Sequence, residues 1–234
     1  MISVSGKIWT EKKLNNRIIE KISVENKFSY DLSKLILNRN YTTNELNELK
    51  YELELFNPFS KNQDFLKARD LLIKIVKKKG LVLIYGDYDV DGVSSIAILV
   101  NFFNSFKHPN YYLIPNRFSE GYGPNIDLIK KNLKKNTEIV IFVDCGTNSN
   151  ETIKFLKKKK IEVLIIDHHH IKNKIDSNLN MINPMKLPKA YEKQNICAAA
   201  LTFYLINLLN NSLRKKINIY DFLFFALLGT ICDV

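Results

Sequence analysis

From residue 81 onward, short apolar segments alternate with stretches of helical periodicity, and this alternation limits the possible folds more than any other feature. The apolar segments lie at residues 81–87, 111–115, 138–144 and 163–167, with a shorter fifth candidate at 181–184. Helical patterns lie between them, at residues 93–106, 125–135 and 149–160. Continuous apolar strands separated by helices are typical of a parallel sheet covered on both faces. The sequence therefore predicts an α/β fold, a parallel β-sheet flanked by helices.

The first 79 residues have a different pattern, which predicts a helical N-terminal extension. Phe65, Leu72 and Val76, for example, recur at the spacing of one helix face, and Gly80 follows where that helix should end. After Pro188 the pattern is again helical. We therefore predict a helical region over residues 1–79 and a sheet-containing domain over residues 80–234.

Composition indicates the cellular compartment of the protein and the kind of partner it binds. The net charge of +11 favours a polyanionic partner, although the lysine- and asparagine-rich composition of an AT-rich genome would give a similar charge. The three cysteines, Cys145, Cys197 and Cys232, have no zinc-ligand spacing. The chain has neither an apolar signal core nor an apolar run of about 18 residues. We expect a cytoplasmic protein with reduced thiols and no membrane association.

Acidic residues follow three of the predicted strands. They are Asp87, Asp89 and Asp91 after the first strand, Asp144 after the third, and Asp167, with His168 and His169 directly behind it, after the fourth. Ligands of open parallel sheets bind beyond the carboxyl ends of the strands, so these side chains should converge at one edge. Carboxylates at close range repel one another, and a pair of divalent cations would offset that charge. Oxygen ligands with one or two imidazoles suit Mn²⁺ or Mg²⁺.

Each element also has a purely structural interpretation. An aspartate at a strand end can cap the next helix, and paired histidines can be structural. The aspartates of residues 87–91 could belong to a calcium loop, although the remaining ligands of an EF-hand are missing. The occurrence of all three elements at strand ends favours a metal site.

The motifs YGDYDVDG, IFVDCG and IIDHHH together resemble those of the DHH phosphoesterase superfamily. The segment IPNRFSEGYGPN and the closing stretch ALLGTICDV resemble its RecJ branch, the single-strand-specific exonucleases. The resemblance implies that Asp89 and Asp91 each hold one cation and that Asp144 bridges both. It implies further that His168 and Asp233 complete the shell of the second cation.

Four more residues receive roles from the resemblance. Asp87 would be a nearby ligand or an acid just outside the ligand shell, and His169 would face the scissile phosphate. Asp167 would orient a neighbouring histidine. Arg117 is a candidate phosphate clamp because its planar guanidinium suits a phosphate, although a surface salt bridge is an alternative role.

The resemblance implies a 5′ to 3′ exonuclease of RecJ type that uses two divalent cations, Mn²⁺ or Mg²⁺, to hydrolyse phosphodiester bonds in single-stranded DNA during recombination and repair. We expect a monomer, with single-stranded DNA as its partner and other recombination or repair proteins as further candidates. Two alternatives stay open. One is a phosphodiesterase of the same superfamily acting on short oligonucleotides or cyclic dinucleotides, and the other is a truncated, non-catalytic nucleic-acid-binding module.

The sequence departs from the family pattern in three places. Tyr85 stands where many DHH enzymes have a histidine, which predicts weaker binding of the first cation. The segment from Cys197 to Ala200 replaces a glycine-rich stretch that could approach a phosphate. RecJ proteins also continue into a DHH-associated domain and an OB-fold, whereas this sequence stops at Val234. We therefore expect the amino-terminal part of a longer protein or a truncated gene product.

Overall fold

The computed structural model describes residues 6, 8, 10, 12–49, 56–172, 176, 178–186 and 196–233. The chain forms two compact units, Met1–Phe56 and Asn57–Val234. The described part of the first unit contains three helices: α1 (Asn16–Asn26), α2 (Tyr30–Arg39) and α3 (Thr43–Glu48). Helix α3 begins at a capping box, in which Thr42 and Glu45 each bond to the other's backbone N–H. The predicted helical extension is confirmed.

The second unit is built on a five-stranded sheet in which every neighbouring pair is parallel. Its strands are β1 (Leu81–Gly86), β2 (Asn110–Leu113), β3 (Thr137–Val143), β4 (Glu162–Ile166) and β5 (Asn180–Ile182). Their order across the sheet is β2-β1-β3-β4-β5. The predicted parallel sheet is confirmed, and its fifth strand is present. The three central strands, β1, β3 and β4, are those that the sequence predicts to end in acidic residues.

Helices cover both faces of this sheet. They are α4 (Gln63–Lys78), α5 (Val90–Ser105), α6 (Ile126–Asn132), α7 (Asn150–Lys158), α8 (Ala198–Ser212) and α9 (Leu223–Cys232). Helices α6 and α7 pack on the face that presents Tyr85 and Phe142. Helix α5 lies on the opposite face, where its Ile96 approaches Gly86, and α8 and α9 pack against α5. None of the described helices is both long and apolar enough to cross a bilayer.

Helix α4 belongs to the unit that contains the sheet. It packs against β5 and α8, and Phe65 in its first turn stacks on Phe59 with ring centroids 4.5 Å apart. The compact unit therefore begins at Asn57, whereas the composition of the sequence changes near residue 80. The division at residues 79 and 80 stays a prediction about domains.

Candidate active site

The turn after β1 brings three aspartates to the carboxyl edge of the sheet. Asp89 caps helix α5, because its side chain accepts a hydrogen bond of 2.9 Å from the N–H of Gly92. Asp91 lies in the first turn of that helix, and both Asp87 and Asp91 are buried. Gly92 is required for this turn, since a Cβ atom there would lie 2.5 Å from the carbonyl oxygen of Asp87 and 2.8 Å from its nitrogen.

The N-terminus of α8 holds the carboxylate of Asp91. One of its oxygens accepts a hydrogen bond of 2.7 Å from the N–H of Ala198, and the other accepts one of 2.8 Å from Ala199. Burial outweighs these two bonds, so the pKa of Asp91 is raised. The backbone of Gly229 in α9 also packs against this carboxylate, because a Cβ atom added there would lie 2.6 Å from Oδ1 of Asp91. Residues 198 and 199 stand where the resemblance implies a glycine-rich stretch near a phosphate, and their amides here contact a carboxylate of the site.

Asp144 follows β3 in a left-handed conformation with φ of 57°. Its N–H donates to the carbonyl of Ile166, which ties the end of β3 to β4. The side chain is buried, and its Oδ1 lies 3.1 Å from Nε2 of His168. Burial, together with the negative charges of Asp91 and Asp89, raises the pKa of Asp144 to about 10. Its carboxylate form is therefore strongly disfavoured without a compensating positive charge.

Asp167, at the end of β4, organises the two histidines that follow it. One of its oxygens accepts hydrogen bonds from the backbone N–H groups of His168 and His169, and the same oxygen lies 2.7 Å from Nδ1 of His169. The other oxygen accepts from the N–H of Thr147. The bond to Asp167 raises the pKa of His169. The backbone and one imidazole are thus bound by a single buried carboxylate. The orienting role of Asp167 in catalysis stays a prediction.

The predicted metal ligands, together with His169, which was predicted to contact the phosphate, form three overlapping groups. Within each group, one ligand atom per residue lies within 4.8 Å of the others: Asp87, Asp89 and Asp144; Asp91, His168 and Asp233; Asp144, His168 and His169. Asp233, distant in sequence, enters because its Oδ2 lies 3.6 Å from Nδ1 of His168. Asp144 and His168 each belong to two of the groups, and of these two only Asp144 has a second ligand oxygen with which to bridge two cations.

The residues of these groups fit divalent cations chemically. One oxygen of Asp87 and one of Asp144 are buried and have no hydrogen-bond partner among the described residues. Burial also raises the pKa of Asp87. The ion pairs of Asp91 and Asp144 within the described residues are with histidines, which supply less positive charge than a lysine or arginine would. Buried carboxylate oxygens without donors are costly, and a cation would satisfy them.

Tyr85 takes a different position from that of a cation ligand. Its side chain is buried beneath the sheet edge, where the hydroxyl donates to the carbonyl of Gly123 at 2.9 Å and accepts from the N–H of Asn125 at 3.1 Å. Burial raises the pKa of Tyr85 to about 12, so the hydroxyl stays protonated. Tyr85 therefore secures the segment around residues 123–125 to β1.

Arg117 and Tyr122 belong to that same connecting segment. The Arg117 guanidinium is exposed and lies 5.3 Å from the centroid of the Tyr88 ring, in the aspartate turn. The Tyr122 hydroxyl lies 2.9 Å from Nε2 of His169. Tyr122 was missed by the sequence reasoning, although it lies in the segment IPNRFSEGYGPN on which the family resemblance partly rests. The phosphate-clamp role of Arg117 stays a prediction.

The substitution Asp167→Asn is expected to lower the free energy of unfolding by about 2 kcal/mol near neutral pH. Burial by itself would raise the pKa of Asp167, but hydrogen bonds from His169 and Thr147 outweigh it and lower the pKa to about 2. A lowered pKa stabilises the fold above the ordinary value of 3.8, and this contribution is lost as the pH falls toward about 2. Urea unfolding at about pH 7 and about pH 3 measures the effect.

The matched control for this prediction is Asp176→Asn. Asp176 is exposed and pairs with Lys157 at 2.7 Å, so its loss should change stability much less. A difference between wild type and Asp167→Asn that stayed constant down to about pH 3 would contradict the assignment, because the ionised carboxylate would then not be its source.

Comparison with known proteins identifies the family of the chain. A family model described as the DHH family, N-terminal domain, matches residues 81–230. The single-stranded-DNA-specific exonuclease RecJ of Haemophilus influenzae is 29% identical over 177 residues, which cover 72% of this chain and 31% of that protein. RecJ of Bacillus subtilis is 25% identical over 206 residues, which cover 87% of this chain and 25% of that protein. The chain thus spans about a third or less of the length of these relatives.

Solved structures show the same fold. A crystal structure of exonuclease RecJ bound to manganese superposes with a TM-score of 0.66 and 26% identity, over 78% of this chain and 44% of that one. RecJ from Thermus thermophilus in complex with Mn²⁺ has the same TM-score of 0.66 at 21% identity, over 93% of this chain and 30% of that one. Because the family model covers the sheet and every strand-end motif, this chain belongs to the DHH family.

Proposed function

We propose that this chain carries the catalytic centre of a metal-dependent exonuclease of RecJ type, which hydrolyses phosphodiester bonds in single-stranded DNA from the 5′ end during recombination and repair. The observation that carries the proposal is the position of Asp144, which groups with Asp87 and Asp89 on one side and lies 3.1 Å from His168 on the other. His168 in turn groups with Asp91 and Asp233. Two cation sites that share a buried carboxylate are the arrangement used for in-line displacement at phosphorus.

In this proposal, Asp87, Asp89 and Asp144 hold one cation. Asp91, His168 and Asp233 hold the other, with Asp144 beside His168 as the shared ligand. When bound, such a pair of cations activates water and neutralises the charge that develops on the phosphate. Mn²⁺ and Mg²⁺ are proposed because both bind oxygen-rich ligand sets. RecJ structures have been solved with each of these ions.

The remaining polar groups would bind and orient the DNA. His169 faces the scissile phosphate in our proposal, with its Nδ1 side held by Asp167 so that its Nε2 side is turned toward the substrate. Tyr122 lies against that Nε2 atom and would help to set the ring plane. Arg117 is exposed beside the aspartate turn, where its guanidinium could clamp a phosphate.

The substrate is proposed from the relatives. RecJ proteins of Haemophilus influenzae and Bacillus subtilis carry the name of single-stranded-DNA-specific exonucleases. Since this chain spans only 31% and 25% of their lengths, the strand preference and the 5′ to 3′ direction are proposals for this chain. A cytoplasmic location, a monomeric state and contacts with other recombination or repair proteins likewise stay predictions.

The test is hydrolysis of a 5′-phosphorylated, 3′-labelled single-stranded oligonucleotide in the presence of Mn²⁺. We expect shortening from the 5′ end by the wild type and a rate at least about a thousandfold lower for Asp144→Ala, because the shared ligand is lost. A duplex of the same sequence is the substrate control. Equal rates for wild type and Asp144→Ala would contradict the proposal.

The same preparation separates the two alternatives. Faster cleavage of a dinucleotide or cyclic dinucleotide than of the long strand would indicate a phosphodiesterase for short substrates. Calorimetric titration with Mn²⁺ addresses the non-catalytic module, since absence of binding near neutral pH would favour that interpretation.

A further inference from the structure

The segment from Asn116 to Asn125, here called the rim loop, is an ordered turn between β2 and α6. The Asn116 side chain accepts hydrogen bonds from the N–H groups of Phe118 at 2.9 Å and Ser119 at 3.3 Å. The Glu120 carboxylate accepts one of 2.7 Å from the N–H of Asn116. These bonds close the turn on itself and fix the backbone at Phe118.

The far end of the rim loop is anchored to the sheet. The buried Tyr85 hydroxyl bonds to both Gly123 and Asn125, as described above, and the Asn125 side chain donates to the carbonyl of Glu120 at 3.2 Å. The conformation of the rim loop is thus supported from within and from β1. The backbone that carries an exposed side chain on this loop is therefore fixed.

The rim loop touches the proposed catalytic centre at two points. Arg117 lies over the ring of Tyr88 in the aspartate turn, and Tyr122 contacts His169. Phe118 directly follows Arg117, so its Cα lies about 3.8 Å from that of a residue in contact with the aspartate turn. Phe118 therefore lies one residue along the rim loop from a contact with the aspartate turn.

Phe118 is 96% exposed, whereas Phe59, Phe65, Phe102 and Phe142 are all buried. A phenylalanine held on an ordered loop in water gains stability only from a partner that covers it. Its neighbours in sequence, Arg117, Ser119 and Glu120, are polar, so no apolar side chain directly flanks the ring along the chain. A protein interface or a lipid surface would need a larger patch than one ring.

A nucleobase is similar in size to this exposed ring, and both have a flat aromatic face. Sites for single strands combine aromatic rings, on which bases stack, with cationic groups that contact the phosphates. Phe118 and the adjacent Arg117 supply one of each. The bases of a duplex are stacked on one another and offer no free face along the helix, whereas those of a single strand do.

We propose that Phe118 is a base-stacking site of the substrate strand, next to the phosphate being cleaved. This inference rests on the proposed function and adds a contact that selects unpaired nucleotides irrespective of their sequence, since every base has an aromatic face. Phe118 acts in binding, and the groups that carry out hydrolysis lie in the aspartate and histidine motifs.

The first test is the hydrolysis of single-stranded oligonucleotides with Mn²⁺ by Phe118→Ala and Phe118→Trp. We expect KM to rise roughly tenfold for Phe118→Ala, equivalent to about 1.4 kcal/mol, with kcat within about twofold of wild type. Phe118→Trp should restore the wild-type KM. An oligonucleotide with abasic sites near its 5′ end should abolish the difference between Phe118→Ala and wild type.

The matched control is Phe224→Ala. Phe224 is also an exposed phenylalanine, at 64%, and it lies in the first turn of α9, about 13 Å along the helix from Asp233 at the other end. This substitution should leave KM unchanged.

A second measurement observes the stacking directly. The only tryptophan of the chain is Trp9, so the double substitution Trp9→Phe and Phe118→Trp places a single fluorescent indole at the rim loop. Without divalent cations, single-stranded oligonucleotide should quench its fluorescence, and an abasic sugar-phosphate oligomer should not. If the wild type hydrolyses the strand and Phe118→Ala has the same KM, the stacking site is overturned and the proposed function is not. A wild type without hydrolysis would overturn the proposed function.

Discussion

Replacing Asp144 with asparagine is expected to raise the melting temperature of the cation-free protein by about 2–8 °C, and to abolish any further rise on addition of Mn²⁺. Asp144 is buried, and its Oδ2 has no hydrogen-bond partner among the described residues. Asparagine keeps the shape of the side chain and is neutral without a proton, so folding no longer has to neutralise a carboxylate beside Asp89 and Asp91. The same change removes a shared cation ligand, so stability without cations and function should move in opposite directions.

The dependence of this effect on pH follows from the pKa of Asp144, which is raised from 3.8 to about 10 by burial, Asp91 and Asp89. Without cations, the folded protein retains a proton that the unfolded chain releases above about pH 4. The wild type therefore loses stability as the pH rises from about 4 toward about 10, and the asparagine variant lacks this loss. The advantage of Asp144→Asn should be larger at about pH 8 than at about pH 5.

Thermal unfolding followed by circular dichroism, in EDTA and in Mn²⁺, measures both parts of this prediction. Asp127→Asn is the control, because Asp127 is exposed and pairs with Lys130 within α6. A fall in melting temperature for Asp144→Asn in EDTA would show that the ionised carboxylate stabilises the cation-free fold, and would contradict the electrostatic account of this site.

Gly92→Ala is expected to destabilise the protein by about 3 kcal/mol and to lower hydrolysis by about a hundredfold. Alanine normally favours a helix over glycine, so the sign of this effect depends entirely on tertiary contact. The added Cβ would lie within 2.8 Å of three backbone atoms of Asp87, and backbone cannot swing aside as a flexible side chain can. Relief of this clash requires a shift of the turn that carries Asp87 and Asp89.

The control is Gly121→Ala in the rim loop. Gly121 has a positive φ of 77°, but a Cβ atom there would meet nothing within 4 Å. Gly121→Ala should therefore lower the free energy of unfolding by about 1 kcal/mol, because alanine disfavours a positive φ, and should leave the Mn²⁺ affinity unchanged. Melting temperature and Mn²⁺ affinity, measured by calorimetry, compare the two variants. Similar Mn²⁺ affinities for Gly92→Ala and wild type would show that the turn tolerates the extra atom.

The fold and the candidate ligands were accessible from local pattern, for a definite physical reason. A strand buried on both faces is apolar along nearly its whole length, so β1, β3 and β4 were recognisable as nearly continuous apolar runs. Parallel strands end at the same edge, which brings Asp87, Asp144 and Asp167 together without any knowledge of side-chain positions.

The contacts that hold the ligands in place depended on packing between residues far apart in the chain. The sequence around Ala198 gives no sign that its N–H would bind Asp91, 107 residues earlier, because any residue but proline supplies that donor. Gly229 and Tyr122 likewise acquire their roles from what lies opposite them. The identities of the strand-end acids and histidines were thus readable along the chain, whereas only the packing of α8, α9 and the rim loop onto the sheet determined what orients them, since hydrogen bonds and close contacts depend on distance in space.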